Sequence, residues 1–256
     1  MNYKTYIINL DKDTDRLSYM SSQLTSLGLS FERFPAILGS AYDFSNEYNE
    51  SLCIEKNGKP MNTGELGCAL SHRNVYKKML KEGAEYALIF EDDICIKNKD
   101  FKHILDRVIS ENLKTHTWDY LQFDYQKPGI AWVIGWANQV KNTFFIRKGV
   151  LTKTKHLLFS LIKIPAVLLF ATYEGLRNTF FTGPVSFHRD VYFAGCYMIT
   201  RKGAETLLAL SDTLIYPADR IQNEAKRQLG LQVRYYSPLL AFQQRKRFNT
   251  NIGNSF

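Results

Sequence analysis

Hydrophobic and polar residues follow two different periods along the chain, and each change of period marks a change of element. Residues 3–10 have the character of a strand and are predicted to form the first one, and residues 30–34 alternate as expected of a second strand. Between them, apolar residues recur every three or four positions, which predicts a helix that ends near Gly28. The apolar positions of that helix are Leu17, Met20, Leu24 and Leu27.

The same alternation of strand and helix continues through most of the sequence. Residues 87–90 are all apolar and predict a central strand that is buried on both faces. Strands that alternate with helices at this interval are typical of an α/β fold with a mostly parallel central sheet, and we expect a single domain over residues 1–256. Further helices are predicted at 62–81, 101–109, 201–210 and 219–229, further strands at 118–123, 192–200 and 232–236, and a long loop at 36–60.

Residues 129–189 interrupt this pattern. Between Lys141 and Arg189 the chain carries eight Lys or Arg residues against a single acid, Glu174, with apolar residues interleaved. The most apolar part, residues 157–171, is shorter than the roughly 20 residues that cross a bilayer. We therefore predict a basic, apolar helical insertion. It either contacts a membrane surface or an amphiphilic acceptor, or it packs on the sheet as a flap with its lysines in solvent.

Composition narrows the choice of partner only slightly. The 256 residues carry a formal net charge of +8, which favours an anionic partner such as a nucleotide, a phosphorylated glycan or a lipid. The sequence has no helix-turn-helix, zinc or RNA-binding signature, so we expect no nucleic-acid partner. The four cysteines lack CxxC spacing and the chain opens as a strand rather than a signal peptide, which favours reduced thiols and a cytoplasmic location. Residues 243–247 are polar and basic and are predicted to be mobile.

Three consecutive acids, Glu91, Asp92 and Asp93, follow the predicted central strand. Ligands of open α/β sheets bind at the edge where such strands end. Three neighbouring carboxylates repel one another unless a cation lies between them. The acids therefore either hold a metal ion or turn out into solvent, and this stretch alone leaves both alternatives open.

Polar residues also follow the first predicted strand. Asn9, Asp11 and Arg16 gather at its carboxyl end, where they would bind a nucleotide. Alternatively, Asp11 or Asp13 caps the helix and Arg16 forms a surface ion pair. Ser71 and His72 lie one turn into the helix that Asn62 and Glu65 open as a capping box. A single helical histidine is more often structural than a ligand, but Gly64 and Gly67 would let a phosphate or another backbone segment approach this helix closely.

Two further positions stand out near the end of the sequence. Gly195 interrupts a predicted strand, which often marks close approach of a ligand. Asp219 follows a proline and is predicted to open a helix.

Taken together, these stretches resemble glycosyltransferase family 25, which includes bacterial lipooligosaccharide galactosyltransferases and collagen galactosyltransferases. Five motifs in order are more specific than any one of them. The insertion at 129–189 is the part that the resemblance explains least. The motifs are residues 8–11 with Arg16, residues 64–72, residues 88–93, residues 195–204 and residues 217–219.

The resemblance implies a GT-A-like nucleotide-binding fold, a UDP-galactose donor and a divalent ion, Mn²⁺ or Mg²⁺. It implies that Asp93, helped by Glu91 or Asp92, holds the ion on the diphosphate, where positive charge stabilises the departing UDP. Donor binding is expected from Asn9, Asp11, Arg16, Ser71 and His72, and substrate contact from Gly195 and Tyr197.

The bacterial members that the chain resembles invert the configuration of the sugar, which requires a carboxylate base to deprotonate the acceptor. Asp219 is the first candidate for that base, with Asp124 and Asp190 in reserve. The implied acceptor is a sugar of lipopolysaccharide or lipooligosaccharide, and the implied location is the cytoplasm, at the inner face of the bacterial inner membrane if the insertion contacts lipid. Alternatives are a UDP-glucose or amino-sugar transferase and a non-catalytic membrane- or nucleotide-binding protein.

Overall fold

A computed structural model describes residues 3–124, 182–186, 190, 192–244 and 247–248. Within them the chain forms six α-helices and nine strands. The helices are α1 (Thr14–Ser26), α2 (Glu50–Asn57), α3 (Thr63–Lys81), α4 (Phe101–Thr115), α5 (Arg201–Leu210) and α6 (Ile221–Leu229). The strands are β1 (Tyr3–Asn9), β2 (Glu32–Pro35), β3 (Tyr86–Glu91), β4 (Ile94–Ile96), β5 (Tyr120–Gln122), β6 (Gly183–Val185), β7 (Cys196–Thr200), β8 (Val233–Ser237) and β9 (Ala241–Gln243).

Seven strands form one central sheet in the order β2-β1-β3-β7-β5-β8-β6. Five of them run in the same direction, as the sequence predicts, but β6 and β7 run in the opposite direction. Since β7 lies in the middle, only three of the six strand pairings are parallel, and the sheet is mixed. The reversal brings the start of β7 to the edge at which β1, β3 and β5 end.

The two faces of the sheet carry separate hydrophobic cores. Residues of β3 alternate between them: Ala87 and Ile89 pack in one core, and Leu88 and Phe90 in the other. All four side chains are fully buried, which explains why the sequence of this strand is a continuous apolar run rather than an alternation of apolar and polar residues. The first core includes residues of α3, α5 and α6, and the second includes residues of α1 and α4.

Local signals placed most helix ends correctly. Asn62 accepts a hydrogen bond from the Glu65 amide at 2.9 Å, and the Glu65 side chain accepts from the Asn62 amide at 2.8 Å, which confirms the predicted capping box of α3. The stop after α1 is also confirmed, since Gly28 has a φ of +64°. The loop predicted at 36–60 is wrong in part, because Glu50–Asn57 forms α2.

The predicted insertion lies almost wholly outside the described residues. Its helical character and the two alternatives for its role therefore stay predictions. Its carboxyl boundary is corrected at one point, because Gly183–Val185 forms β6 and pairs with β8. Contacts divide the chain into Met1–Tyr125 with Gly183–Phe256, the unit described here, and Gln126–Thr182. Of the helices in the described part of the chain, none is long and apolar enough to cross a bilayer.

Candidate active site

Three strands bring polar groups to one edge of the sheet. Glu91 ends β3, Asp124 follows β5, and Gly195 precedes β7. The Glu91 amide donates to the Gly195 carbonyl at 2.8 Å. The buried Asp124 carboxylate accepts from the amides of Gly195 at 3.1 Å and Cys196 at 2.7 Å. These bonds fix the middle of the edge.

Asp92 and Asp93 turn towards α1. Arg16 pairs with both of them, through Nε to Asp92 Oδ1 at 2.8 Å and through Nη2 to Asp93 Oδ2 at 2.9 Å. Asn9 donates from Nδ2 to Asp92 Oδ2 at 2.7 Å. Both acids are buried, so they do not turn out into solvent, which was one alternative that the sequence left open. Asn9 and Arg16 lie at the predicted edge of the sheet. In the described part of the chain, however, their side chains bind the carboxylates of Asp92 and Asp93.

Arg33, the second residue of β2, supports the same corner. Its Nε donates to Asn9 Oδ1 at 2.9 Å and its Nη2 to the Asn9 carbonyl at 3.1 Å. It also forms an ion pair with Asp11, whose side chain is mostly exposed. Sequence reasoning missed Arg33. The available signal was a basic residue near the end of a strand that a parallel register places beside β1.

Glu91 turns to the other side, towards α3. Its Oε1 lies 3.4 Å from His72 Nε2 and accepts from Cys68 Sγ at 3.5 Å. Its Oε2 accepts from Gln243 Nε2 at 3.2 Å. Cys68 and His72 are one helical turn apart, so the helix presents both to the same carboxylate.

Two predicted ligand-binding residues, Tyr197 and Ser71, are enclosed within the fold. His72 Nδ1 and Tyr197 Oη form a hydrogen bond of 2.8 Å, and Tyr197 Oη bonds Tyr76 Oη at 2.8 Å. Ser71 Oγ donates to the Gly67 carbonyl at 2.6 Å and accepts from the Ile37 amide at 2.8 Å. The hydrogen bonds of Ser71 and Tyr197 join α3 to its neighbours, and their contact with a donor or substrate stays a prediction.

Glycine has a visible steric role at two positions. A Cβ on Gly67 would lie 2.6 Å from the Ile37 carbonyl oxygen, so another backbone segment approaches the helix here, one of the two alternatives expected. A Cβ on Gly195 would lie 2.5 Å from Ile94 Cδ1 and 2.6 Å from Asp124 Oδ2. The close approach that the structure shows at Gly195 is therefore by protein side chains.

The carboxylates at this edge interact electrostatically. Burial raises the pKa of Asp92 to about 6 despite the opposing charge of Arg16. Burial and the charge of Glu91 raise the pKa of Asp93 to about 7. Burial raises the pKa of Asp124 well above its usual range, opposed by the Cys196 amide and reinforced by Glu91. Burial alone would also raise the pKa of Glu91, but the hydrogen bond with His72 holds it below the usual range.

Two sets of side chains at this edge suit a cation, and both include Glu91. The first set is made up of the carboxylates of Asp93, Glu91 and Asp92. Asp93 Oδ1 is buried and has no hydrogen-bond partner among the described residues, which fits a hard ion such as Mn²⁺ or Mg²⁺. Cys68, His72 and Glu91 form the second set, with ligand atoms that all lie within 4.8 Å of one another. That set suits a softer ion, and its thiol must first ionise. Burial and Glu91 raise the pKa of Cys68 well above its usual range, which favours the carboxylate set for a hard ion.

The candidate bases lie in different surroundings. Asp219 precedes α6, which begins at Ile221, and burial raises the pKa of Asp219, opposed by Arg220 and reinforced by Glu91. Asp219 is therefore close enough to Glu91 for their charges to interact. Asp190 instead forms an ion pair of 2.5 Å with the exposed Arg227.

A family model described as "Glycosyltransferase family 25 (LPS biosynthesis protein)" matches residues 2–222. This range includes all five motifs identified in the sequence and every predicted site residue. It ends before β8 and β9.

Individual relatives match over shorter lengths. A "Glycosyltransferase 25 family member" of Anopheles gambiae is 30% identical over 53% of this chain and 24% of its own length. "Procollagen galactosyltransferase 1" of Danio rerio is 27% identical over 46% of this chain and 20% of its own length. "Inactive glycosyltransferase 25 family member 3" of Mus musculus is 24% identical over 46% of this chain and 21% of its own length. The matched part thus spans less than a quarter of these relatives.

Proposed function

This chain belongs to glycosyltransferase family 25, and on that premise we propose that it transfers galactose from UDP-galactose, with inversion, to a sugar of a lipopolysaccharide or lipooligosaccharide acceptor. The family description names lipopolysaccharide biosynthesis, and a relative in Danio rerio is named a galactosyltransferase. The proposed fold is GT-A-like. Residues 1–256 form one transferase domain, and its insertion lies between residue 129 and β6.

The cluster of buried carboxylates at the sheet edge is the observation that carries this proposal. Asp93 offers a buried oxygen without a partner among the described residues, and its pKa is raised to about 7 by burial and Glu91. The ionised form of a buried carboxylate beside another carboxylate is stabilised when a divalent ion neutralises the charge. We assign the ion, Mn²⁺ or Mg²⁺, to Asp93 with Glu91 or Asp92. When bound, the ion stabilises negative charge on the departing UDP.

The other residues of the edge have supporting roles. Arg16 holds Asp92 and Asp93 in place and contributes positive charge where the diphosphate binds. Asn9, with Arg33 and Asp11 behind it, fixes the end of β1 beside Asp92. His72 orients Glu91, while Tyr197 orients His72 from the other ring nitrogen.

Asp219 is our candidate for the base. Burial raises its pKa, so its carboxylate is more basic than a surface acid and better suited to take the proton of an acceptor hydroxyl. As the hydroxyl oxygen bonds to the anomeric carbon, the bond from that carbon to UDP breaks and the proton passes to Asp219. Asp124 is a weaker candidate, because both of its oxygens accept backbone hydrogen bonds.

The proposal is tested with a set of UDP-sugars, Mn²⁺ and oligosaccharide acceptors that include rough lipooligosaccharide. We expect UDP release to be fastest with UDP-galactose and the product to have a β linkage by NMR. Asp93→Asn should abolish turnover while the protein remains folded, and Asp100→Asn, at an exposed acid, should retain it. Undiminished turnover in Asp93→Asn would show that Asp93 is not needed to hold a metal ion. Faster transfer from UDP-glucose or an amino-sugar donor would show that the donor sugar is not galactose.

A non-catalytic nucleotide- or membrane-binding protein is the second candidate. It is favoured by the mouse relative that is named inactive, and by Arg16, which already pairs with both Asp92 and Asp93. This candidate predicts that UDP binds but that none of the UDP-sugars is turned over with any acceptor.

A further inference from the structure

We propose that Gln243 and Phe248 are positioning residues of the donor site, and that they hold Glu91 and Arg16 where a nucleoside diphosphate binds. The inference rests on the proposed function. It concerns a part of the chain beyond residue 222, where the family match ends. The sequence predicts a mobile tail here, and that stays a prediction. Among the described residues, Gln243 ends β9, and Gln244 and Arg247 contact neighbouring residues.

The backbone of this segment is bound to the acidic turn. Strand β9 pairs in antiparallel fashion with β4, which begins directly after Asp93, and Gln243 lies opposite Ile94. The Gln244 amide donates to the Asp93 carbonyl at 2.8 Å. The Ala241 amide donates to the Phe123 carbonyl at 3.2 Å, beside Asp124. Residues 241–244 are therefore held against both acidic strand ends.

The side chain of Gln243 reaches Glu91 directly. Its Nε2 donates to Glu91 Oε2 at 3.2 Å, while the other oxygen, Oε1, faces His72 and Cys68. A carboxylate with both oxygens engaged cannot rotate freely. The Gln244 side chain, by contrast, donates from Nε2 to Tyr19 Oη at 3.5 Å and has no hydrogen bond to a carboxylate among the described residues. The two consecutive glutamines thus provide one variant that touches the cluster and one that does not.

Phe248 fixes the other side of the edge. The Arg16 guanidinium lies 5.5 Å from the centroid of the Phe248 ring, and Tyr19 packs edge-on against that ring at 5.5 Å. Cations at this distance from a ring are attracted by its electrons. Asp92 and Asp93 hold Arg16 through its nitrogens, and Phe248 holds it through the ring. The guanidinium is therefore kept where a diphosphate would meet it.

Paired variants test each contact separately. Gln243→Ala is compared with Gln244→Ala, and Phe248→Ala with Phe242→Ala, because the Phe242 ring contacts Lys97 instead of the site. The Kd for UDP is measured by titration with Mn²⁺ present, together with KM and kcat for UDP-galactose. We expect Gln243→Ala to weaken UDP binding roughly ten-fold and Phe248→Ala about three-fold. The two control variants should stay within about two-fold of wild type, and Phe248→Trp, which keeps a ring, should regain most of the lost affinity.

A second measurement needs no variant. Trypsin cleavage after Arg247 should slow when UDP and Mn²⁺ are added, whereas cleavage after the exposed Lys114 should not change. The inference is overturned if all four alanine variants bind UDP alike and cleavage after Arg247 is unaffected while wild type is active. A wild-type protein without affinity for UDP overturns the proposed function and this inference together, so the two failures can be distinguished.

Discussion

Asp93 is the residue at which function and stability should oppose each other. Its pKa is raised from 3.8 to about 7, so its charge is unfavourable in the folded protein without a cation. The difference corresponds to about 4 kcal/mol at a pH above both values, as an upper limit. Asp93→Asn removes that charge and keeps an oxygen that can accept from Arg16. We therefore expect a protein that is inactive but more stable than wild type.

The sign of the pH effect on stability follows from the number of protons that Asp93 binds in the folded and in the unfolded state. Below about pH 4 Asp93 is neutral in both states and contributes nothing. Between about pH 4 and 7 the unfolded chain has lost the proton and the folded protein keeps it, so stability falls as pH rises. Above about pH 7 both states are ionised and the loss is constant. The advantage of Asp93→Asn should therefore grow by about 2–3 kcal/mol between about pH 5 and 8.

Urea denaturation in EDTA measures this, with tryptophan fluorescence, to which the buried Trp118 contributes, as the signal. Asp100→Asn, at an exposed acid, controls for removal of a surface charge. Adding Mn²⁺ at about one hundred times its Kd should stabilise wild type by about 2.7 kcal/mol and leave Asp93→Asn unchanged. A lower stability of Asp93→Asn than of wild type at about pH 8, or a difference that does not change with pH, would contradict this expectation.

Two further predictions concern neighbouring residues. Cys68→Ser should leave the Mn²⁺ concentration for half-maximal activity within about two-fold of wild type, because a hard ion prefers oxygen ligands; a larger rise would make the thiolate a ligand. Gly195→Ala should lower the free energy of unfolding by about 1–3 kcal/mol, because its Cβ would overlap Ile94 and Asp124, and Ile94→Val should relieve part of that loss in a double-mutant cycle; additive losses would contradict the overlap.

The sequence predicted elements with strong periodicity or clear end signals. Four apolar residues, 87–90, predicted β3, and the Asn62 and Glu65 pattern predicted the start of α3. It missed α2, in which Cys53 is the only buried residue and no apolar face is visible. The reversal of β7 was also missed, because the apolar pattern of a strand shows its faces and not its direction.

The candidate site was predicted as a location but not as a set of contacts. Glu91, Asp92 and Asp93 lie at the strand edge, as expected. Periodicity could not show that Glu91 would turn to one side and the two aspartates to the other. The pairing of Arg16 with both aspartates depends on how α1 packs on the sheet, and the contact of Gln243 with Glu91 joins residues 152 positions apart. Such contacts follow from tertiary packing, which one sequence does not contain.

The bond between Asp124 and Gly195 has a consequence for how this protein can diverge. It joins two positions that are 71 residues apart in the sequence, so one carboxylate connects the two ends of the intervening segment. The entropic cost of closing a flexible loop rises by only about 0.6 kcal/mol for each doubling of its length. We therefore expect homologous proteins to gain and lose residues between these two positions while the acids keep their places.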